Sequence, residues 1–273
     1  MPELPEVEVV CQGLRPRLLG RTFGPIRVSG RSLRLPVPEA ELRRWGIGAT
    51  VLEVRRRGKY LIIGLDNQAR LVFHLGMTGR LGLFPAATPL APHDHLCLDL
   101  DNQMELRFND TRRFGSIQVL APAQDEALHF AALGPEPLTA DFSATYLAGK
   151  ASHRSQPVKN FLMDSRVVVG IGNIYASEIL YEAKVSPARP ARQIGQAEWR
   201  RIVKQTQDVL TRAIAAGGST IADFVNSSGK PGYFQLELKV YGRQGKPCLR
   251  CGVPIVKETQ AGRSTFHCRG CQQ

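Results

Sequence analysis

The chain has 273 residues, 43% of them apolar, and sets 36 Lys and Arg against 24 Asp and Glu, for a net charge of +12 and a pI near 9.8. That length can bury real cores and divide into two domains or more, while no apolar run reaches the roughly 20 residues that cross a bilayer. The cation excess points to a polyanionic partner, nucleic acid foremost, and the lack of a secretory signal leaves a reducing, cytoplasmic setting as the expectation.

In chain order, Val7, Val10, Leu14 and Leu18 recur at helical spacing, which predicts a helix ending by Gly20. From Phe23 to about Leu120, β-rich runs at 51–54, 60–63, 71–73, 96–100 and 116–120 are punctuated by Gly, Pro, Asp and Asn. Their spacing predicts a β-sandwich or barrel. The pattern changes at Gly134-Pro-Glu-Pro137, after which 141–150, 157–165, 174–184 and 196–216 read as helices. The last carries Trp199, Ile202, Val203, Val209, Leu210, Ala213 and Ile214 on one face and stops at Gly217-Gly218. Residues 217–235 read as a Gly-, Ser- and Asn-rich loop.

The strongest chemical signal comes last. Cys248-Leu-Arg-Cys251 and, after a gap of 16 residues, Cys268-Arg-Gly-Cys271 have the spacing of a four-cysteine zinc ribbon. All four positions are filled by thiolates, so the metal is structural, and the intervening stretch has room for a hairpin. Lys246, Arg250, Lys257, Arg263 and Arg269 surround the sulfurs and would face a polyanion. Cys11 and Cys97 are scattered, which argues against a disulfide framework.

At the other end, Pro2 is small enough to permit removal of Met1, exposing a secondary α-amine. An α-amine titrates about two units below a Lys amine, so far more of it is free base near neutral pH, a credible nucleophile toward an aldehyde-level carbon. Glu3 and Glu6 add carboxylates beside it, one a candidate general acid. On helix geometry alone, prolines that simply start a helix would be the better reading. Lys59 follows a basic run, Arg55 to Arg57, and precedes an apolar strand, which places it at a strand edge. Arg112-Arg113-Phe114-Gly115 joins cations to an aromatic ring that could wedge into a duplex. Gly170-Ile-Gly172-Asn-Ile-Tyr175 lacks the third glycine of a dinucleotide fold but suits one phosphate at a helix start.

Together Pro2 to Glu8, Gly58-Lys-Tyr60, His74 to Gly79, Asp110 to Gly115, Leu162-Met-Asp164, Val169 to Glu178, Gly232-Tyr-Phe234, Val240 to Arg243 and the zinc ribbon resemble the bacterial formamidopyrimidine-DNA glycosylases, essentially end to end. The resemblance implies an α+β chain: an N-terminal helix and β-sandwich domain over 1–133, a helical helix-two-turns-helix domain over 134–235 with a lesion loop at 217–234, and the ribbon over 236–273. It implies a monomer that binds damaged double-stranded DNA, one structural zinc, and no small-molecule cofactor. By likeness Pro2 is the nucleophile, Glu3 the proton donor to the sugar, and Lys59 and Arg263 the donors in the β and δ eliminations. Met77, Arg112 and Phe114 would fill the void left by an everted base. His74, His93, Arg154, Asn173 and Tyr241 would contact the DNA backbone. Glu6, Ser219, Ile221, Ala222, Asp223 and Phe224 would read the lesion. Ala222 and Gly76 depart from relatives that carry basic residues there, which bears on lesion preference. Two rivals remain at this point: an endonuclease VIII-like enzyme for oxidised pyrimidines, and a zinc-ribbon damage-binding protein without catalysis.

Overall fold

The computed structural model describes residues 2–218 and 238–273. The predicted lesion readers Ser219, Ile221, Ala222, Asp223 and Phe224 lie outside the described residues. The described residues divide into two compact units, the first built from residues up to 131 with 217 and 218, the second from 132–216 and 238–273.

In the first unit, helix α1 (Leu4–Leu18) starts with Pro5 in its first turn and buries Leu4, Val7, Val10, Cys11, Leu14 and Leu18, the stripe expected from the sequence. Strands β1 (Phe23–Val28), β6 (Asp94–Leu100), β7 (Met104–Asn109) and β5 (Arg80–Pro85) form one four-stranded sheet in that order. Strands β2 (Val51–Arg57), β3 (Tyr60–Leu65), β4 (Arg70–His74) and β8 (Ser116–Leu120) form another. Every pairing is antiparallel. Leu61, Ile63, Leu71 and Phe73 of one sheet and Leu81, Leu96, Leu98 and Phe108 of the other share a single core with α1, which makes the unit a sandwich. Short helices α2 (Glu39–Gly46) and α3 (Glu126–His129) flank it. Burial pushes the Cys11 thiol up to about 12 and the Cys97 thiol to about 11, so both behave as core residues.

The second unit packs α4 (Ala144–Ala151), α5 (Val158–Leu162), α6 (Asn173–Glu182) and α7 (Gln196–Ala215). Of the face predicted for α7, Trp199, Ile202, Val209, Leu210 and Ala213 are buried, with Val203 and Ile214 at its margin. Thr206, unread in the sequence, joins that face because its hydroxyl donates to the Ile202 carbonyl at 2.8 Å. Strands β9 (Val256–Gln260) and β10 (Arg263–His267) form the hairpin expected between the cysteine pairs. No helix among the described residues is long and apolar enough to cross a membrane.

Candidate active site

In the first unit, Pro2, Glu3 and Glu6 are all buried at the start of α1. Glu3 is the N-cap, and its main-chain N–H donates to the Glu6 carboxylate at 2.8 Å, so Glu6 fixes the backbone that carries Pro2 and Glu3. Gly218, at the start of the segment expected to read the lesion, approaches the same carboxylate: a Cβ there would lie 3.2 Å from Glu6 Oε1.

Lys59 sits at the tip of the β2–β3 hairpin, where Arg57 pairs with Tyr60 and Gly58 takes a φ of +57°. Arg56 holds that tip toward α1, pairing with Glu8 at 3.0 Å while its Nη1 donates to the Gly58 carbonyl. Tyr60 faces His74 across the strands with ring centroids 5.0 Å apart. Burial first, and then the positive charges of Lys59 and Arg34, lower His74 to about 4. The ring is therefore neutral near pH 7, and because its Nδ1 accepts from the Gly76 N–H at 3.1 Å, Nε2 carries the proton and can donate to a phosphate oxygen.

The shift has a consequence for stability. Between about pH 6.5 and 4 the unfolded chain takes up a proton at His74 that the folded chain refuses, so stability falls as pH drops through that window. The difference in Tm between pH 7 and pH 5 is expected to be smaller in His74→Gln than in the parent. An equal or larger difference would contradict the neutral assignment.

His74 leads into the turn at 75–79, which interlocks with the loop at 110–115. Asp110, fully buried, gathers both: it accepts from Thr78 Oγ1 at 2.5 Å and from the Gly115 N–H at 2.7 Å, and its own N–H donates to the His93 carbonyl. Met77 and Phe114 project from these two interlocked loops at 36% and 47% exposure, which leaves both side chains open to a partner. Arg112 lies over the Phe114 ring at 4.7 Å, a cation–π contact between two residues of the same loop. Exposed His93 completes the group.

Gly76 has a structural reason for being glycine. Its φ is +62°, and a Cβ would sit 2.4 Å from the backbone of Phe114 and Gly115. Gly76→Ala is expected to cost about 2 kcal/mol or more, read as a fall in Tm, and to loosen the Met77 and Phe114 loops with it. A Tm within a degree of the parent would refute this.

In the second unit, α6 opens at Gly172-Asn173 after the glycine-rich turn. Asn173 Nδ2 donates to the Ser264 carbonyl at 2.9 Å, next to exposed Arg263 at the hairpin turn. Fully buried Lys159 donates from Nζ to Asn173 Oδ1, the Ser264 carbonyl and Thr265 Oγ1 at 2.6, 3.0 and 2.8 Å. Buried Glu178 accepts from the main-chain N–H groups of Lys239, Val240 and Tyr241, and the Tyr241 ring packs on Phe266 at 4.9 Å. Asn173, Tyr241 and Arg263 are thus brought together on one framework. Arg154 stands in the turn after α4, where its main chain bonds Ala151 and Arg192.

Asp110, Lys159 and Glu178 were not read as organisers in the sequence. The available signal was a charge set among apolar neighbours: Lys159 between Val158 and Phe161, Glu178 between Ala176 and Ile179. Such charges persist only where partners satisfy them.

The four cysteine sulfurs lie within 4.8 Å of one another. A tetrahedral zinc with Zn–S near 2.3 Å needs sulfurs about 3.8 Å apart. Cys248 to Cys271 is 3.9 Å and Cys251 to Cys268 is 3.4 Å, so the set fits one ion with no open position. Burial raises the Cys248 thiol, but the Tyr181 hydroxyl and the N–H groups of Arg250 and Cys251 outweigh it and bring it down to about 6, suited to a thiolate ligand.

A basic chain with a helix-led β-sandwich, a helical unit and a four-cysteine ribbon, with exposed cations and an exposed aromatic ring on its loops, belongs to the class of zinc-ribbon DNA-processing proteins. Family profiles are more specific: the formamidopyrimidine-DNA glycosylase N-terminal domain matches residues 1–117, the H2TH domain of the same enzymes residues 133–225, and a zinc finger found in FPG and IleRS residues 245–273. The formamidopyrimidine-DNA glycosylase of Xanthomonas euvesicatoria pv. vesicatoria (strain 85-10) is 45% identical over 273 residues, covering the whole of both chains. A solved Lactococcus lactis Fpg (MutM) with DNA containing N7-benzyl-Fapy-dG is similar at 34% identity and a TM-score of 0.90, again over both whole chains. A MutM complex with DNA containing carbocyclic 8-oxo-G gives 34% and 0.91 at the same coverage. The chain belongs to the formamidopyrimidine-DNA glycosylase family.

Proposed function

We propose that the protein excises oxidised purines, chiefly 8-oxoguanine opposite cytosine and ring-opened formamidopyrimidines, from duplex DNA and then cuts the strand. The observation that carries this reading is the burial of Pro2 beside Glu3 at the capped start of α1, with Glu3 only 2% exposed, in a chain that matches the family along its length. Once Met1 is removed, the Pro2 nitrogen attacks C1′ of the everted nucleotide. The glycosidic bond breaks, the base leaves with a proton, and Glu3 protonates O4′ as the sugar ring opens to an iminium on Pro2. The iminium acidifies C2′–H; loss of that proton expels the 3′ phosphate with Lys59 as donor. Loss of a second proton from C4′ expels the 5′ phosphate with Arg263 as donor. Hydrolysis of the iminium returns the free amine and leaves a one-nucleoside gap.

Met77, Arg112 and Phe114 would occupy the space of the departed base. His74, His93, Arg154, Asn173 and Tyr241 would hold the backbone around it, and Glu6 with Ser219, Ile221, Ala222, Asp223 and Phe224 would face the lesion. The single zinc is structural, and the proton transfers are assigned to the chain's own residues. The setting that fits is the bacterial cytoplasm, on the DNA of the nucleoid. The test is a duplex with one 8-oxoguanine opposite cytosine, compared with undamaged and oxidised-pyrimidine duplexes. Fragments carrying phosphate on both sides of a gap, formed fastest from 8-oxoguanine, are expected. Faster cutting of the pyrimidine lesion would move the assignment to the sister class.

A further inference from the structure

Several arginines of the first unit are neutralised by carboxylates: exposed Arg27 by Asp99 and Glu105, exposed Arg43 by Glu39, and half-buried Arg55 and Arg70 by Glu126. Arg31, Arg34, Arg112 and Arg113 are exposed and have no carboxylate partner among the described residues. They belong to two loops, 29–38 and 110–115, that are fastened together. Ser29 Oγ meets His95 Nδ1 at 2.9 Å, and His95 Nε2 meets the Asp110 carbonyl at 3.0 Å. The Arg34 N–H donates to the Gly115 carbonyl at 3.0 Å, and Arg113 Nη1 reaches the Ser32 carbonyl at 3.5 Å. Leu33, 7% exposed, anchors the centre of loop 29–38 in the sandwich core. The loop is thus held by the same residue, Asp110, that shapes the Phe114 loop, and unneutralised guanidinium groups collect at that end of the sandwich. Arg34 also lies near enough to His74 to disfavour its protonation.

We propose that loop 29–38 is a further DNA-backbone contact, with Arg34 as its phosphate ligand, so that the Phe114 loop is braced against the duplex by a cation of its own. Uncompensated arginine on a fixed backbone is the chemistry that recognises phosphate, and fastening the loop to the wedge makes the contact register with insertion. The proposal rests on the DNA reading given above and adds a contact to it.

The experiment is the salt dependence of binding to undamaged duplex by fluorescence anisotropy, for the parent, Arg34→Gln, Arg34→Lys and, as control, Arg43→Gln. Each phosphate contact contributes about 0.9 to the slope of log K against log salt. Arg34→Gln is expected to lower the slope by about 0.9 and the affinity about fivefold at 0.15 M salt. Arg34→Lys should restore most of the slope, and Arg43→Gln should leave it unchanged. A parent slope in Arg34→Gln would overturn the proposal, as would an equal loss in Arg43→Gln. A parent protein with no salt-dependent duplex binding would overturn the function itself.

Discussion

Replacing Glu3 by Gln is expected to reduce release of 8-oxoguanine by a factor of 10² to 10⁴, the range that a positioned proton donor supplies, with little change in affinity for the lesion duplex. The substitution keeps the size of the side chain and, as the N-cap, an oxygen that can accept from the first turn of α1. The Glu3 N–H to Glu6 bond is made by main chain and is untouched, so Pro2 stays in place. What is lost is the proton for O4′. The check is single-turnover excision paired with a binding titration. Loss of both together would mean that the α1 terminus had collapsed, and normal excision would remove Glu3 from its assigned role.

The second large effect is expected at the ribbon. Cys268 is fully buried, sits directly after β10 and packs with Tyr181, Val240, Ile255 and Phe266. Structural zinc in such ribbons accounts for roughly 10 to 16 kcal/mol of apparent binding free energy, which is also folding free energy. In Cys268→Ser, zinc content measured by mass spectrometry should fall from one per chain to near zero. Duplex affinity should drop by at least tenfold, because the hairpin that presents Arg263 and the turn that presents Tyr241 lose their support. Cys248→Ser should behave alike. Because the sandwich has its own core, its share of the thermal transition should survive. Unchanged duplex affinity in a zinc-free variant would remove the ribbon from the DNA interface.

Much of this was legible in the sequence for identifiable reasons. The α1 stripe and the α7 face were readable because apolar spacing at 3.6 residues is a local property. The cysteine pairs were readable because metal ligation fixes both residue type and spacing. Strand β7 was harder: Glu105 and Arg107 are each 2% exposed, since Arg107 pairs with Glu105 at 2.8 Å and donates to the carbonyls of Thr88 and Pro89. The strand itself, Met104-Glu-Leu-Arg-Phe-Asn109, alternates apolar and polar residues, and that pattern assigns Glu105 and Arg107 to solvent; only partners from distant segments account for their burial. Glu8 and Arg56 are 48 residues apart, and no local pattern announces their pairing. Asp110, Lys159 and Glu178 share that difficulty, because each organises backbone supplied by distant segments. Gly76 looked like a departure from relatives, and only the approach of Phe114 and Gly115 explains it.

The central claim is that the Pro2 amine forms the covalent intermediate. Borohydride reduction during reaction with a duplex carrying 8-oxoguanine opposite cytosine, followed by peptide mass spectrometry, tests it most directly. The account predicts a protein–DNA adduct whose modified residue is an N-terminal Pro2, on a chain that has lost Met1. An adduct at Lys59, or tight binding without any adduct on a chain verified to begin at Pro2, would contradict it.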